Sequence, residues 1–504
     1  MSRKPGAILP VALVGAGPGD PGLVTVRGLE CIRRADVIFY DNLAAPALLV
    51  HARPECEKIY VGKKRTEHAL TQEQINALLV EHARAGRRVV RLKGGDPFLF
   101  GRGGEEAEAL AEAGIPFEVV PGVSSAMGAA AYAGIPLTHR EHTSAVTFVT
   151  GHAVEKIDWR RVGASETIVV FMGLVTFGEI AKRLIEAGRP PATPAVAVRW
   201  ATRADQRTIC GTLGDLAERI AEAGLKPPTL IVVGEVVRLR EKLDWFEHLP
   251  LFGKTVVVTR AREQAGVLAG KLRELGARVV DIPTIEIQPP SDWKPLDGAI
   301  SRLESFDWLI FTSANGVRFF TQRLDASARD LRELRARICA IGPSTAAAVA
   351  ALHLKVDLMP KEYVAESVVA ALEKIPLEGA RILLPRAAVA RDLIPTELEK
   401  RAARVTVVEA YRTVPARDVE WPEGLRPDWI AFTSSSTVEN FHALFGAERL
   451  QGVRVASIGP VTSATARRLG MDVTVEAGEH TVEGLVEAIR DAEGTAGKGR
   501  QQPV

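Results

Sequence analysis

"VALVGAGPGDPGL", residues 11–23, joins an apolar run to a loop containing Gly17-Pro18-Gly19-Asp20-Pro21-Gly22. A strand that feeds such a loop and then a helical pattern opens an α/β domain, and the glycines satisfy G-x-G-x-x-G, the spacing of a dinucleotide cradle. Two residues argue against a pyrophosphate there. Pro18 and Pro21 lack a backbone N–H, and phosphate at a helix N-terminus is held by such donors. Asp41, nineteen residues beyond Gly22, argues the other way, because it stands near the place of a ribose-binding acid.

The same alternation runs onward. Strand-length apolar runs occur at 11–16, 37–40, 57–61, 88–92, 117–120, 145–150 and 167–171, with helical patterns such as "GGEEAEALAEAG" (103–114) between them. This predicts α/β domains with largely parallel sheets. "WFEHLPLFGKT" (245–255) interrupts the pattern before "KTVVVTRA" begins a fresh strand, so the main boundary falls at about 245–253. The final stretch, "EGTAGKGRQQPV", is polar and glycine-containing, and residues 491–504 read as a disordered tail.

Beyond that boundary the chain repeats itself. "TVVVTRA" (255–261) parallels "RILLPRA" (381–387), and "DWLIFTSANGVRFF" (307–320) parallels "DWIAFTSSSTVENF" (428–441). "RICAIGPSTAAAV" (337–349) parallels "RVASIGPVTSATA" (454–466), and the offsets stay between 117 and 126 residues. That period is too long for a solenoid and predicts two similar lobes with a cleft between them. The first lobe takes both ends of this half and the second takes its middle.

With 504 residues, 46% of them apolar and 25% charged, the composition is that of a soluble globular protein. A net charge of +2 argues against a nucleic-acid binder. The four cysteines, Cys31, Cys56, Cys210 and Cys339, form no C-x-x-C pair, which suits a reducing cytoplasm. His139, His142 and His152 read as loop residues, with no metal site implied. "MSRKPGAILPVALVGAG" mimics an export signal, but its apolar run leads into the glycine loop of a folded domain. The longest apolar candidate for a membrane span, "TIVVFMGLVTFG" (167–178), is too short.

In open α/β sheets, ligands bind beyond the carboxyl ends of the strands. Gly94, Gly95 and Asp96 follow one predicted strand, Ser124 and Ser125 another, and Asp41, Lys63 and Met172 each end one. These loops offer few phosphate donors and no Walker lysine, so their crevice suits a zwitterionic, phosphate-free nucleoside.

"VGAGPGDPGL", "ADVIFYDNL", "YVGKK", "VVRLKGGDPFLFGRGGEEAEALAEAGIPFEVVPGVSSA", "AGIPLTHR" and "VTFVTGH" together resemble uroporphyrinogen-III C-methyltransferases of the tetrapyrrole methylase family, over about residues 8–246. The resemblance implies a two-subdomain fold, a homodimer and S-adenosylmethionine as cofactor. It implies cofactor contacts at Pro18, Gly94, Gly95, Asp96, Leu99, Ser124, Ser125, Met172 and Ala201, a proton acceptor at Asp41 and a proton donor at Lys63. The chain has Asn42 and Ser124 where many relatives have Arg and Thr. The substrate, uroporphyrinogen III, carries eight carboxylates, for which Lys63, Lys64, Arg65, Arg91, Lys93 and Arg102 are candidate receptors, arginine as a two-pronged fork.

In the second half, four loops carry small hydroxyls ahead of helical patterns. Thr312-Ser313-Ala314-Asn315 matches Thr433-Ser434-Ser435-Ser436, and Gly342-Pro343-Ser344-Thr345 matches Gly459-Pro460-Val461-Thr462. Free amides and hydroxyls at helix starts receive carboxylates, although each loop taken singly also reads as a helix cap. "ARVVDIPTIEIQP" (277–289) aligns with "ARVTVVEAYRTVP" (403–415), placing Tyr411 opposite Ile285 as a candidate acid. "VEAYRTV", "FTSANGV", "AIGPST", "FTSSSTVENF" and "SIGPVT" resemble uroporphyrinogen-III synthases over residues 252–490. That family closes hydroxymethylbilane into uroporphyrinogen III with loss of water, and the resemblance gives Tyr411 the task of assisting departure of the hydroxyl.

Together the two resemblances imply an α/β bifunctional enzyme, a two-subdomain methylase followed by a two-lobed parallel-sheet synthase. It would make uroporphyrinogen III and methylate it twice to precorrin-2, on the way to sirohaem or cobalamin. The rival readings are a methylase of another corrin or a diphthamide-type substrate, and a second half that binds ligand without turnover.

Overall fold

The run that leads into the first glycine loop is a strand, β1 (Val11–Gly15), buried at all five positions. A strand without polar alternation must be covered on both faces. It belongs to a five-stranded sheet with β2 (Val37–Tyr40), β3 (Glu57–Tyr60), β4 (Val89–Lys93) and β5 (Phe117–Val120), in the order β3-β2-β4-β1-β5 and parallel throughout. Leu13, Phe39, Leu79 and Leu110 pack on one face, and Val14, Ile38, Leu48 and Leu92 on the other. The chain leaves β1 toward β2 and leaves β4 toward β5, so the two adjacent strands send their loops in opposite directions. That is the switch point at which such sheets open a crevice. The computed structural model describes residues 8–44, 46–62 and 70–497, and all of their side chains except those of 262–265 and 495–497.

A second sheet follows, from β6 (Val146–Thr150), β7 (Thr167–Phe171), β8 (Pro194–Arg199), β9 (Arg207–Thr212) and β10 (Thr229–Val233), in the order β6-β7-β10-β8-β9. Only β6 and β7 run parallel, while β7–β10, β10–β8 and β8–β9 are antiparallel. The expectation of largely parallel sheets therefore fails here. The connection 200–206 is too short for a crossover, which takes a dozen residues or more, so β9 returns beside β8 as a hairpin. The apolar stretch 167–178 is β7, a loop, and the first residues of the helix Phe177–Glu186. No helix among the described residues is long and apolar enough to cross a membrane.

The chain divides into two units, Met1–Lys254 with Glu274–Arg278, and Thr255–Arg273 with Val279–Val504. The second unit holds two further sheets. One, in the order β12-β11-β18-β19-β20, uses β11 (Thr255–Val258), β12 (Arg278–Asp281), β18 (Trp429–Phe432), β19 (Arg454–Ser457) and β20 (Val473–Glu476). The other, in the order β13-β17-β16-β14-β15, uses β13 (Ile285–Gln288), β14 (Trp308–Phe311), β15 (Arg337–Ala340), β16 (Arg381–Ala387) and β17 (Arg404–Pro415). Each lobe takes its first strands from one copy of the repeat and its last strands from the other. The first lobe thus holds both ends of the unit. β13 is the exception to parallel pairing, running antiparallel to β17. Around Pro283 the first copy splits into β12 and β13, one strand for each lobe, where the second copy keeps a single long strand, β17.

The disordered tail expected over 491–504 does not begin at 491. The last helix, Val482–Gly497, runs through 491–497, and residues 498–504 lie outside the described residues. Glu493 is buried near the end of this helix, accepts a 2.8 Å hydrogen bond from Nε1 of the fully buried Trp429, and pairs with Arg454. A buried indole N–H left without an acceptor costs about 1–3 kcal/mol. Glu493→Ala should therefore lower the thermal midpoint of the full chain. An unchanged midpoint would show that the final turns add nothing to the fold.

Candidate functional site

The loops after β1, β4 and β5 meet where their glycines allow it. A Cβ on Gly15 would lie 2.6 Å from the Gly122 backbone and 2.7 Å from the Gly95 carbonyl oxygen. A Cβ on Gly122 would lie 2.3 Å from that same oxygen. Gly17 adopts φ +78° and exchanges backbone hydrogen bonds with Gly95, at 3.2 and 2.7 Å. A Cβ on Gly128 would sit 2.5 Å from the Pro18 ring.

These contacts decide between the two readings of the opening motif. Besides the two prolines, the amides of Gly17, Asp20, Gly22 and Leu23 are spent on Gly95, Thr202 and the Asp20 side chain and carbonyl. Asp20 also accepts from the Tyr132 hydroxyl at 2.9 Å. A loop with two prolines and four of its amides turned inward makes a poor phosphate nest. Its glycines serve close backbone approach.

Beside this crossing lies a cavity of about 780 Å³, within the range of small-molecule sites. Pro18, Gly94, Gly95, Leu99, Ser125, Met172 and Ala201 line it, as do Asp41, Arg91, Lys93 and Arg102. Asp96 and Ser124 are not among its lining residues. Asp96 accepts from the Phe98 and Gly122 amides, and the Ser124 hydroxyl accepts from the Ala126 amide at the start of the helix Ser125–Tyr132. Both hold the loops that form the wall. Lys63, Lys64 and Arg65 lie outside the described residues.

Backbone strain gathers at the same place. Of nine non-glycine residues with positive φ among those described, Phe100, Arg102, Met172 and Trp200 line the cavity. Such conformations cost on the order of 1–3 kcal/mol each and persist where surrounding packing enforces them. Sequence reading singled out neither Phe100 nor Trp200: Phe100 sits unremarked inside the motif at 89–125, and Trp200 belongs to none.

Under the cavity floor lies a set of four charges. Arg91 donates from Nη2 to Asp41 at 3.0 Å, from Nε to Glu106 at 3.1 Å, and from Nη1 to the Leu92 carbonyl at 3.0 Å. Lys93 Nζ donates to the same Glu106 oxygen at 2.9 Å. Burial pushes the Lys93 amine below its ordinary value; the Arg91 charge adds to the shift and Glu106 opposes it. Arg91 lines the cavity, but its fork already grips protein groups on every nitrogen, which argues against its expected task as a substrate fork. Glu106 was not singled out in the sequence: in "GGEEAEAL" it looks like any acid in a first helical turn.

Of the three histidines, His152 lines the cavity. His139 and His142 stack with centroids 4.8 Å apart, and ligand atoms of these two and Glu141 lie within 4.8 Å of one another at the surface. His139 Nδ1 already accepts from the Glu141 amide at 3.2 Å.

In the second unit the hydroxyl loops stand at strand carboxyl ends. Tyr411 on β17 is buried, with its hydroxyl 3.0 Å from Ser313 Oγ. Burial raises the phenol above its ordinary value, and hydrogen bonds from Ser313 and Asn315 oppose the shift. Ser313 Oγ also accepts from the Gly316 amide at 3.0 Å and caps the helix Ala314–Asp325, while the Phe319 ring stacks on Tyr411. Thr312 is half-buried beside them. Ser434 caps the helix Ser435–Phe445, and Ser435 reaches the Val461 carbonyl and the Thr465 hydroxyl. Gly342 and Gly459 begin helices without a side-chain cap, each followed by proline. A Cβ on Gly342 would meet the Tyr363 side chain at 3.2 Å, and one on Gly459 the His480 ring at 2.9 Å. Ser344 is exposed and Thr462 buried beside them. Ile285 does not share the place of Tyr411. It pairs with Pro415, because β13 runs antiparallel to β17.

Residues 10–217 match the family model for tetrapyrrole (corrin/porphyrin) methylases, and residues 266–487 match that for uroporphyrinogen-III synthase HemD. A porphyrin biosynthesis protein HemD from Ruminiclostridium josui is 37% identical over 495 residues, covering 96% of this chain and 98% of that one. The chain belongs to both families. Its methylase half is 56% identical over 247 residues to a siroheme synthase of Azotobacter vinelandii, covering 48% of this chain and 53% of the relative. The chain thus spans about half the length of the siroheme synthases it matches. A uroporphyrin-III C-methyl transferase of Thermus thermophilus, complexed with S-adenyl homocysteine, aligns with 43% identity and a TM-score of 0.41, over 46% of this chain and 99% of that one. The cavity and the four charges lie in the methylase half, and Tyr411 lies in the synthase half.

The glycine crossing is directly testable. Gly122→Ala forces a methyl group into backbone and should destabilise the chain by about 1–3 kcal/mol or more. Gly104→Ala, on the helix Gly103–Glu112 with nothing within 4 Å of its added methyl, should stabilise by about 0.5–1 kcal/mol. Equal thermal midpoints for the two variants would overturn the crowding argument.

Proposed function

We propose that the synthase half closes hydroxymethylbilane to uroporphyrinogen III and that the methylase half transfers two methyl groups to that product, giving precorrin-2. One observation carries the methylase reading: the glycine loop spends its amides internally while its neighbours wall a cavity that contains an acid, Asp41. Such a cavity rejects a pyrophosphate and suits a sulfonium nucleoside, so its residues fit S-adenosylmethionine. When bound, that cofactor supplies an activated methyl group. Pro18, Gly94, Gly95, Leu99, Ser125, Met172 and Ala201 would hold it.

The chain's own residues then do the following. The cavity walls exclude water and align the pyrrole carbon with the methyl, and alignment of this kind is worth about 7–11 kcal/mol of barrier. The ring carbon gains the methyl and the ring loses a proton, which Asp41 takes. One oxygen of Asp41 is held by Arg91 and the other accepts from the Leu43 amide at 3.0 Å. The carboxylate therefore presents a fixed edge. Arg102, exposed and paired only at the surface with Glu105, can turn to meet substrate carboxylates, whereas Lys93 is buried and given to Glu106.

In the synthase half, Tyr411 assists loss of the substrate hydroxyl as water. Ser313 Oγ accepts from Gly316 and can turn its own hydrogen to the phenol oxygen, which leaves the Tyr411 proton free to be donated. The capped and uncapped helix starts at Thr312, Asn315, Gly342, Ser344, Ser434, Ser435, Gly459 and Thr462 receive the substrate's carboxylates. The product of one half is the substrate of the other, so the tether raises its local concentration. Four free thiols accord with a cytoplasmic setting, and a homodimer through the methylase half completes the reading.

Hydroxymethylbilane and S-adenosylmethionine supplied to the purified chain should yield the type III macrocycle carrying two added methyl groups; unmethylated or type I product would contradict the proposal. Asp41→Ala should lower methyl transfer by on the order of 100-fold while S-adenosylhomocysteine still binds. Tyr411→Phe should lower ring closure, and unchanged product ratios would leave the tyrosine structural. The raised phenol gives a further sign. Folding stability from Tyr411 is fully present below the ordinary phenol value near 10 and is lost as pH rises beyond it. The alkaline loss of stability should thus be smaller in Tyr411→Phe than in the parent.

A further inference from the structure

Glu106 is the charged residue that the reaction scheme does not use, and the fold has gone to some cost to keep it. It lies in the first turn of the helix Gly103–Glu112 and is wholly buried. One carboxylate oxygen collects three donors: Lys93 Nζ at 2.9 Å, Arg91 Nε at 3.1 Å and Gln72 Nε2 at 3.2 Å. The other oxygen is buried with no hydrogen-bond partner among the described residues. A buried carboxylate is tolerated when it is paired, and removing one partner leaves an uncompensated charge behind. Stability alone does not account for the arrangement, since apolar side chains at such positions are often as stable or more so.

What the arrangement does achieve is placement of Arg91. Its planar guanidinium is fixed from three sides: Glu106 at Nε, the Leu92 carbonyl at Nη1 and Asp41 at Nη2. Asp41 is held in turn by Arg91 and the Leu43 amide, so its direction into the cavity is inherited from Arg91. The positive charge of Arg91 is also shared between two carboxylates. With Glu106 neutral, Arg91 would have Asp41 as its carboxylate partner alone and would grip it harder, and the buried Lys93 would lose its ion-pair partner.

We propose that Glu106 is a positioning residue of the methyl-transfer site, which divides the charge of Arg91 so that Asp41 is aimed into the cavity yet free to take a proton. The proposal rests on the reading of Asp41 as proton acceptor. Glu106 itself touches neither substrate nor cofactor.

The test is methyl transfer to uroporphyrinogen III by the full chain, comparing Glu106→Gln, Glu106→Asp and Asp41→Asn with the parent. Glu106→Gln keeps the shape and an acceptor oxygen but not the charge. Its kcat should fall by on the order of 10–100-fold, with KM for uroporphyrinogen III and affinity for S-adenosylhomocysteine within about twofold of the parent. Glu106→Asp retains the charge and should recover part of the loss. If Asp41→Asn turns over at the parental rate, the proton-acceptor reading fails and this proposal falls with it. If Asp41→Asn is slow while Glu106→Gln keeps the parental kcat, or while Glu106→Asp is as slow as Glu106→Gln and both bind S-adenosylhomocysteine poorly, the role of Glu106 alone is overturned. Should Glu106→Gln fail to fold, the double variant Glu106→Gln/Lys93→Met removes the ammonium together with its counter-charge. Its kcat should then lie on the order of tenfold below that of Lys93→Met, and a kcat equal to Lys93→Met would overturn the proposal.

Discussion

The methylase half is organised by one steric constraint: the backbones at Gly15, Gly95 and Gly122 cross so closely that neither Gly15 nor Gly122 admits a Cβ. The crossing brings the loops after β1, β4 and β5 to one point above the sheet's switch point, and the cavity opens beside it. It also consumes the amides that would otherwise face a ligand, since Gly17 and Gly95 bond to each other across the gap. The chemistry of the site follows from this. A pocket with few outward donors and apolar walls discriminates against phosphate and leaves room for a nucleoside that carries a positive charge.

The floor of that pocket balances two cations against two anions. Asp41, Arg91, Lys93 and Glu106 sum to no net charge, which is how a protein keeps four ionised groups in a poorly hydrated place. Only Asp41 among the four is appreciably open to solvent, with 23% of its side chain exposed against 5% or less for the others. Solvent access thus sets Asp41 apart from the other three, in keeping with the proton-acceptor role proposed for it.

Much of this was legible in residue types. The prolines in the glycine loop already opposed a pyrophosphate, and the apolar runs gave the first seven strands to within a residue or so, although β8 and β10, buried as they are, were not among them. The repeat predicted two lobes and the crossing of the chain between them. Other features had no local signature. The antiparallel hairpin of β8 and β9 in the second sheet is set by the short connection 200–206, which carries no pattern of its own. The final helix continues through a polar segment, in which Glu493 is buried against Trp429 and Arg454. Glu106 was hidden by its setting, since an acid in a first helical turn is ordinary and only burial sets it apart from Glu105. Asp96 and Ser124 show the converse. Their motif positions marked them as ligand contacts, yet their hydrogen bonds go to the loop backbones that shape the wall.

The central claim is that the glycine loop and its neighbours hold a sulfonium nucleoside and not a dinucleotide. Titration calorimetry of the full chain with S-adenosylhomocysteine and, separately, with NAD tests it most directly. The account predicts saturable binding of S-adenosylhomocysteine at one site per chain and no heat from NAD. Binding of NAD with none of S-adenosylhomocysteine would contradict it.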